Sequence, residues 1–256
     1  MPYVHGVPLV QLGKRPRPIV ILSDVHIGAT EHCEREFDAA LEWIRENRAW
    51  VVLNGDLVEN AIVSGSAPGE KLLGQSLVPT DQLLVAKAKL KPLAHRIVYS
   101  TRGNHEGRTR RESLLDISEI LAEMLGAPYA GVGGLLRFQA GSQVYTFAVQ
   151  HGRSGGKNIW LETGRMLDLY PEADLVALGH NHALGAVSSG GIVTSKTGGE
   201  TIRERWQVRT GSYLGFADYV REMVLRPGNI GSPVIRLDPN ERRISVDVET
   251  LSWPAM

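Results

Sequence analysis

Cysteine is almost absent from this chain of 256 residues, because Cys33 is the only one. A single cysteine excludes an intrachain disulfide, and with it the small secreted scaffolds that depend on disulfide bridges. The first residues, Met1 to Gly6, also lack the basic start and the apolar run of a secretory signal. We therefore expect the protein to reside in a reducing, cytoplasmic compartment.

Long apolar runs, aromatic residues and an excess of charge are lacking as well. No stretch approaches the roughly 18 apolar residues of a membrane-spanning helix, so we expect no membrane partner. Aromatic residues make up 6% of the chain, which disfavours a stacking platform for single-stranded nucleic acid. The 28 lysines and arginines balance the 28 aspartates and glutamates. This balance argues against a charge field over the whole protein that would attract nucleic acid.

The remaining composition, with 43% hydrophobic and 22% charged residues, is that of a globular protein. A chain of this length buries roughly 70% of its unfolded surface, which is enough for one sizeable core. Short buried runs at Ile19 to Leu22 and Val51 to Leu53 flank a helical pattern from Glu31 to Arg48. Further helices are predicted at Asp81 to Ala94 and Glu112 to Leu125. Since no fixed repeat and no linker interrupts the pattern, we predict one α/β domain over residues 1–256.

Side chains of the types that bind metals follow the predicted buried strands at the points where the strands end. They are Asp24 and His26, then Asp56, then Asn104 and His105, then His151, and finally His180 and His182. In open α/β sheets ligands bind at the carboxyl ends of strands, so residues far apart in sequence converge on one rim. One such aspartate alone is more often a turn former. Their recurrence at five strand ends favours a single shared site.

Five short blocks carry these residues. They are Asp-Val-His at 24–26, Gly-Asp-Leu-Val-Glu at 55–59, Gly-Asn-His-Glu at 103–106, His-Gly-Arg at 151–153 and Gly-His-Asn-His at 179–182. In order and spacing the blocks resemble those of the calcineurin-like metallophosphoesterases, over residues 19–182. The resemblance implies an α/β fold: a four-layer αββα sandwich of two mixed β-sheets flanked by helices, with a dinuclear metal site at the strand C-terminal ends.

Carried over position by position, the resemblance also implies a ligand set for two divalent metal ions. The ligands of the first ion would be Asp24, His26 and His182. Those of the second would be Asn104, His151 and His180, with Asp56 bridging the two ions. Imidazole and carboxylate ligands without thiolate suit Mn²⁺, Fe, Zn²⁺ or Ni²⁺, and we expect Mn²⁺ first.

The reaction implied by the resemblance is hydrolysis of a phosphoester by a hydroxide held between the two metals. His105 lies next to a ligand and would be the catalytic residue that protonates the leaving oxygen or stabilises its charge. Glu59 and Glu106 would accept hydrogen bonds from behind the ligands.

The second block departs from the protein phosphatases of this family, because Glu59-Asn60 stands where they have Asp-Arg. A phosphate-binding arginine is therefore absent at that point. The first and last blocks look more like those of the phosphodiesterase and nuclease branches. We expect a phosphodiesterase that acts on a nucleotide, DNA or RNA. A phosphomonoesterase acting on nucleotides or phosphoproteins, and a non-catalytic scaffold on the same fold, are the alternatives.

A basic segment underlies the neutral total. Residues 96–111 hold five arginines against one acid, which gives a local charge of +4. Two of these arginines, Arg102 and Arg108, are candidates for substrate binding together with Arg153; a solvated loop is the open alternative. Residues 60–80, rich in glycine, serine and proline, are predicted to form a surface loop, with a lid or a dimer contact as alternatives.

Overall fold

The computed structural model describes residues 6–63, 74–153, 158–194, 198–215 and 229–254. The middle of the loop predicted at residues 60–80 lies outside the described residues. The strands are β1 (Leu9–Gly13), β2 (Ile19–Leu22), β3 (Trp50–Asn54), β4 (Ile97–Thr101), β5 (Gly134–Ala140), β6 (Gln143–Gln150), β7 (Leu175–Leu178), β8 (Leu184–Thr194), β9 (Glu200–Thr210), β10 (Ile230–Gly231), β11 (Val234–Leu237), β12 (Ile244–Asp247) and β13 (Ser252–Trp253). The α-helices are α1 (Glu34–Glu46), α2 (Pro79–Leu90), α3 (Glu106–Ser113), α4 (Ile117–Leu125) and α5 (Ile159–Leu169), and a 3₁₀ helix spans Lys91–Arg96.

A five-stranded sheet has the order β12-β11-β2-β3-β4 and contains three parallel strands, β2, β3 and β4. All four residues of β2 are apolar and buried, as a strand covered on both faces requires. The antiparallel hairpin of β11 and β12 pairs with β2 and completes that side of the sheet.

A six-stranded sheet has the order β1-β5-β6-β7-β9-β8, with β6, β7 and β9 parallel at its centre. The edge strand β8 pairs with β9 antiparallel, from Leu184 opposite Thr210 to Thr194 opposite Glu200. The sequence did not predict β8, because its serines and glycines are typical of a loop. The long ladder with β9 supplies the hydrogen bonds that make it a strand.

The two sheets pack face to face over an apolar core that includes Ile21, Val52, Phe138 and Phe147. Helices α1, α2 and α4 cover the outer face of the five-stranded sheet, and α5 covers the six-stranded sheet. This arrangement confirms the predicted four-layer αββα sandwich of two mixed sheets.

Two helical regions depart from the sequence prediction by more than a few residues at an end. The helix predicted at 112–125 is divided into α3 and α4, because Leu114 takes a left-handed conformation and ends α3. Asp116 then starts α4 as its N-cap, accepting a hydrogen bond from the Glu119 N–H at 3.4 Å. Helix α5 was not predicted and begins after Asn158, which caps it. Within the described ranges, no helix is both long and apolar enough to cross a membrane.

Candidate metal centre

Five of the polar residues that follow the strands adopt left-handed backbone conformations. They are Asp24 (φ 52°), His26 (φ 54°), Asp56 (φ 49°), His180 (φ 70°) and His182 (φ 58°). For residues other than glycine this conformation costs roughly 1–2 kcal/mol each, so it persists only where surrounding contacts impose it. Backbone bonds from Asp24 N–H to Gly55 O (3.1 Å) and from His26 N–H to Asp56 O (3.0 Å) fix two of these turns to each other. The strain is therefore concentrated where the side chains converge.

Asp24, His26 and His182 form the first group of side chains suited to a metal ion. The Asp24 carboxylate is held by the Ser23 hydroxyl at 2.5 Å and by the His180 N–H at 3.1 Å. His182 Nε2 lies 3.4 Å from Asp24 Oδ1. Burial lowers the pKa of His182 to about 4, so its imidazole is neutral and can donate a lone pair.

Asp56, His151 and His180 form a second group, and Asn104 adjoins it. His151 Nε2 lies 3.0 Å from both Asp56 Oδ2 and Asn104 Oδ1, while its Nδ1 is 2.8 Å from Asn54 O. Burial lowers the pKa of His151, but the carboxylates of Asp56 and Asp24 outweigh it and raise the value to about 10.

Asp56 links the two groups, because it also lies in a cluster with His26 and His105. Its two carboxylate oxygens have different neighbours. Oδ1 accepts the His105 N–H at 2.8 Å, whereas Oδ2 faces His151 Nε2. A carboxylate with this placement can be shared by two cations and relieve their repulsion.

The donor set fits divalent metal ions. Within each group the donor atoms lie within 4.8 Å of one another. His26 Nε2 is buried without a hydrogen-bond partner, while its Nδ1 lies 2.8 Å from Glu59 Oε2. Histidines that bind metals commonly donate a hydrogen bond from one ring nitrogen and use the other nitrogen as the ligand.

Glu106 supports the turn that carries Asp56. It is 2% exposed, and its carboxylate accepts the backbone N–H groups of Asp56 (3.1 Å), Leu57 (2.7 Å) and Val58 (3.3 Å). Burial and the neighbouring Asp56 carboxylate raise the pKa of Glu106. A Cβ on Gly103 would lie 2.1 Å from Asp56 Oδ1 and 2.5 Å from Glu106 Oε2, so only glycine fits between them.

Glu59 lies behind His26 and His105, at the place where an acceptor is predicted. Burial raises its pKa, but hydrogen bonds from His105 and His26 outweigh burial and hold the pKa well below the ordinary range. Glu59 is therefore an anion throughout the physiological range. Asn60, next to it, is fully buried and donates to His105 O (2.8 Å) and to the Thr109 hydroxyl (2.9 Å).

His105 is fixed on three sides. Its backbone N–H donates to Asp56 Oδ1, and its ring nitrogen Nδ1 lies 2.8 Å from Glu59 O. Its Nε2 lies 2.9 Å from Nη2 of Arg108 and 3.9 Å from Asp56 Oδ2. With Nδ1 donating to Glu59, Nε2 is the nitrogen directed at the metal groups.

The sequence profile of the calcineurin-like phosphoesterases matches residues 17–192, which is more than half of the chain and includes every residue of the two groups. The chain belongs to the calcineurin-like phosphoesterase family. This family hydrolyses phosphoesters with divalent metal ions, in agreement with the donor set.

Solved structures similar to this calcineurin-like chain include a single mutant of Vps29 from Entamoeba histolytica. It is 10% identical with a TM-score of 0.47, covering 90% of this chain and 97% of that one. A predicted phosphoesterase from Streptococcus pneumoniae is 15% identical with a TM-score of 0.39, covering 91% and 89%. A hypothetical protein from Pyrococcus horikoshii is 10% identical with a TM-score of 0.44, covering 90% and 87%. A comparison with curated proteins finds no match. At these identities and TM-scores the likeness supports no conclusion about chemistry.

The three arginines predicted to bind substrate take different places. Arg102 and Arg153 line a cavity of about 280 Å³ that begins at Asn104 and His151. Arg102 also donates to Asp116 Oδ2 at 2.6 Å. Arg108 does not line this cavity; it donates to Glu59 O at 3.0 Å and approaches His105 instead.

Two features of the site were not found by sequence reasoning. Arg110 and Arg111 also line the cavity. In the sequence, the sole sign of their role was the local positive charge of residues 96–111. Arg209 is 1% exposed and donates to Ile159 O, to Gly179 O at 3.5 Å and to Glu162 at 3.1 Å, which ties the turn before His180 to α5. An arginine at the end of a predicted strand gives no sequence signal of such a role.

Proposed function

We propose that the protein is a phosphodiesterase that hydrolyses a nucleotide or nucleic-acid phosphodiester with two divalent metal ions, Mn²⁺ foremost. The cavity at Asn104 and His151 carries this proposal, because it leaves room beside the metal groups for an ester group. A phosphodiester has such a group on each side of phosphorus, whereas a monoester has only one.

The two groups described above, with Asn104, would hold the metals, and Asp56 would be shared between them. When bound, the metals supply positive charge for the phosphoryl oxygens and lower the pKa of water so that it attacks phosphorus. Glu59 and Asn54 O orient His26 and His151 through the ring nitrogen that does not face the site.

His105 acts on the leaving oxygen through Nε2, which accepts from Arg108 Nη2 at 2.9 Å in the structure. Donation of a proton from Nε2 therefore requires Arg108 to release this nitrogen, while Glu59 O holds the ring through Nδ1. Arg108 lies at the same Nε2, so its guanidinium meets negative charge as it develops on the leaving oxygen. Glu59 in turn accepts from Arg108 at 3.0 Å through its backbone oxygen and keeps the arginine in place.

Asn60 favours a diester over a monoester. A monoester carries one more negative charge at neutral pH and needs a further cation, which protein phosphatases of the family supply by arginine in the second block. Here the corresponding side chain is a neutral amide, is buried, and is occupied by bonds to His105 O and Thr109.

Hydrolysis of bis(p-nitrophenyl) phosphate and of p-nitrophenyl phosphate by the Mn²⁺-loaded protein tests the proposal. Both release the same chromophore, so the ratio of kcat/KM reports the ester class alone. We expect the diester to be preferred by about tenfold or more, corresponding to at least ~1.4 kcal/mol in the transition state. A preference for the monoester would contradict the proposal and favour the phosphomonoesterase. Absence of both activities, with less than one metal bound per chain, would favour the scaffold.

A further inference from the structure

The cavity beside the metal groups is strongly basic. The described residues that line it include four arginines, Arg102, Arg110, Arg111 and Arg153, and no aspartate or glutamate. Asn104 and His151 belong both to this lining and to the second metal group or its border. A ligand in the cavity would therefore lie directly beside a group bound at that metal position.

One carboxylate, that of Asp116, forms ion pairs with two of these arginines. Asp116 Oδ2 accepts Arg102 Nη1 at 2.6 Å and the Tyr129 hydroxyl at 2.8 Å, and it lies 3.6 Å from Arg110 Nε. Asp116 is buried, and its Oδ2 is already occupied by Arg102 and Tyr129. Its single charge leaves the group of guanidinium ions with an excess of positive charge.

Arg111 and Arg153 have no carboxylate within 4.0 Å among the residues that the structure describes. The last turn of α3 contains Arg110 and Arg111, and its partial negative charge offsets only part of theirs. Arg153 follows β6, outside any helix end, and is exposed. Guanidinium groups that line one cavity with few carboxylates nearby favour an anion bound among them.

Among the described residues, the lining contains no phenylalanine, tyrosine or tryptophan to stack on a base, and Val132 is its one branched apolar side chain. The volume of about 280 Å³ is near the lower end for a small-ligand site, enough for a phosphate and part of a sugar. The cavity thus suits a phosphate group more than a nucleobase.

We propose that this cavity binds a second phosphate group of the substrate, adjacent to the phosphodiester that is cleaved. The inference rests on the proposed phosphodiesterase function and narrows its substrate to compounds with neighbouring phosphates. The second phosphate comes either from the end of a short nucleotide or from the interior of a longer strand.

Short thymidine oligonucleotides with different numbers of phosphates test the proposal. Thymidylyl-thymidine (TpT) has one internal phosphate, pTpT and TpTp add a terminal phosphate on either side, and TpTpT adds an internal phosphate together with a third nucleoside. We expect kcat/KM for at least one phosphate-bearing compound to exceed that for TpT by about tenfold, as one or two charge-assisted hydrogen bonds would give. The pTpT and TpTp arms report a terminal phosphate, and the TpTpT arm reports an internal one.

The double variant Arg111→Ala/Arg153→Ala should reduce that ratio to below about threefold. TpT serves as the reference in each protein, so a general loss of activity cancels. Arg45→Ala is the matched control, because Arg45 is an exposed arginine in the last turn of α1, at the end of the sheet opposite the metal groups. It should leave the ratio unchanged. An unchanged ratio in the double variant would overturn the proposal.

Binding separates this proposal from the proposed function. Calorimetry on EDTA-treated protein should show the preferred phosphate-bearing compound binding about tenfold more tightly than TpT, with the difference lost in the double variant and weakened by salt. If the Mn²⁺-loaded protein hydrolyses none of the compounds but the EDTA-treated protein shows this difference in binding, the phosphodiesterase is contradicted and the phosphate site stands. Equal binding of all compounds would contradict the phosphate site itself.

Discussion

Asp56 Oδ2 lies 3.0 Å from Nε2 of His151, although the two residues follow strands of different sheets. Asp56 follows β3 of the five-stranded sheet, and His151 follows β6 of the six-stranded sheet. The candidate metal centre is therefore formed across the junction of the two sheets. It depends on their packing as much as on either set of turns.

Asp56→Asn should abolish metal binding and activity. The amide has one oxygen fewer and no charge, so it can neither bridge two cations nor compensate their repulsion. We expect metal content, measured by plasma mass spectrometry after dialysis, to fall below one ion per chain. Turnover of bis(p-nitrophenyl) phosphate should fall by about a hundredfold or more.

Asp38→Asn is the control for this substitution, because Asp38 lies on α1 with its side chain 52% exposed. It should retain both metals and full activity. Two ions per chain in the Asp56 variant would refute the bridging role.

His105→Ala should slow substrates with poor leaving groups far more than substrates with good ones. A nitrophenolate leaves without a proton, whereas a nucleoside alkoxide needs one from Nε2. We expect a loss of about a hundredfold or more for TpT and of tenfold or less for bis(p-nitrophenyl) phosphate, measured as kcat. His95→Ala, at an exposed position of the 3₁₀ helix, is the matched control. Equal losses for both substrates would exclude proton donation by His105.

Glu106→Gln should destabilise the protein. The glutamate accepts three buried backbone N–H groups, and the amide NH₂ of glutamine can accept none of them. At least one donor loses its partner, at a cost of ~1–3 kcal/mol in the free energy of unfolding. Urea unfolding monitored by circular dichroism measures the change. The control Glu112→Gln, at an exposed position of α3, should alter the free energy of unfolding by less than about 0.5 kcal/mol. A similar effect of both variants would show that Glu106 does not support the turn that carries Asp56.

Cys33 should react slowly with thiol reagents in the native protein. Burial, together with the charge of Glu36, raises the pKa of its thiol to about 11, and only the thiolate reacts. At pH 8 about one molecule in a thousand is then ionised. We expect the native protein to react with Ellman's reagent at least about tenfold more slowly than the protein in guanidinium chloride. Equal rates would show that Cys33 is accessible.

The positions of the ligand-type residues were predictable because strand hydrophobicity and the polar residue that ends each strand are both local properties of the sequence. Asp24, Asp56 and His151 could be placed in this way. The break at Leu114 was not predictable, since it depends on a left-handed residue and on the cap of α4. The place of Arg108 was not predictable either, because its contacts with Glu59 and His105 arise from tertiary packing.

The lining of the cavity was also only partly predictable from the sequence. The excess of arginine in residues 96–111 was visible, but a neutral net charge and a linear sequence do not show which arginines face one another. Asp116 accepts a hydrogen bond from Arg102 and offsets its charge. Arg153 follows β6, whereas Arg102 follows β4, and both line the cavity. The fold is what brings Arg110, Arg111 and Arg153 to the lining of one cavity.

Anomalous diffraction from crystals of the Mn²⁺-loaded protein would locate the metal ions themselves. We predict two peaks per chain, one among Asp24, His26 and His182 and the other among Asn104, His151 and His180, both in contact with the Asp56 carboxylate. A single peak, or a pair that does not share Asp56, would refute the dinuclear centre.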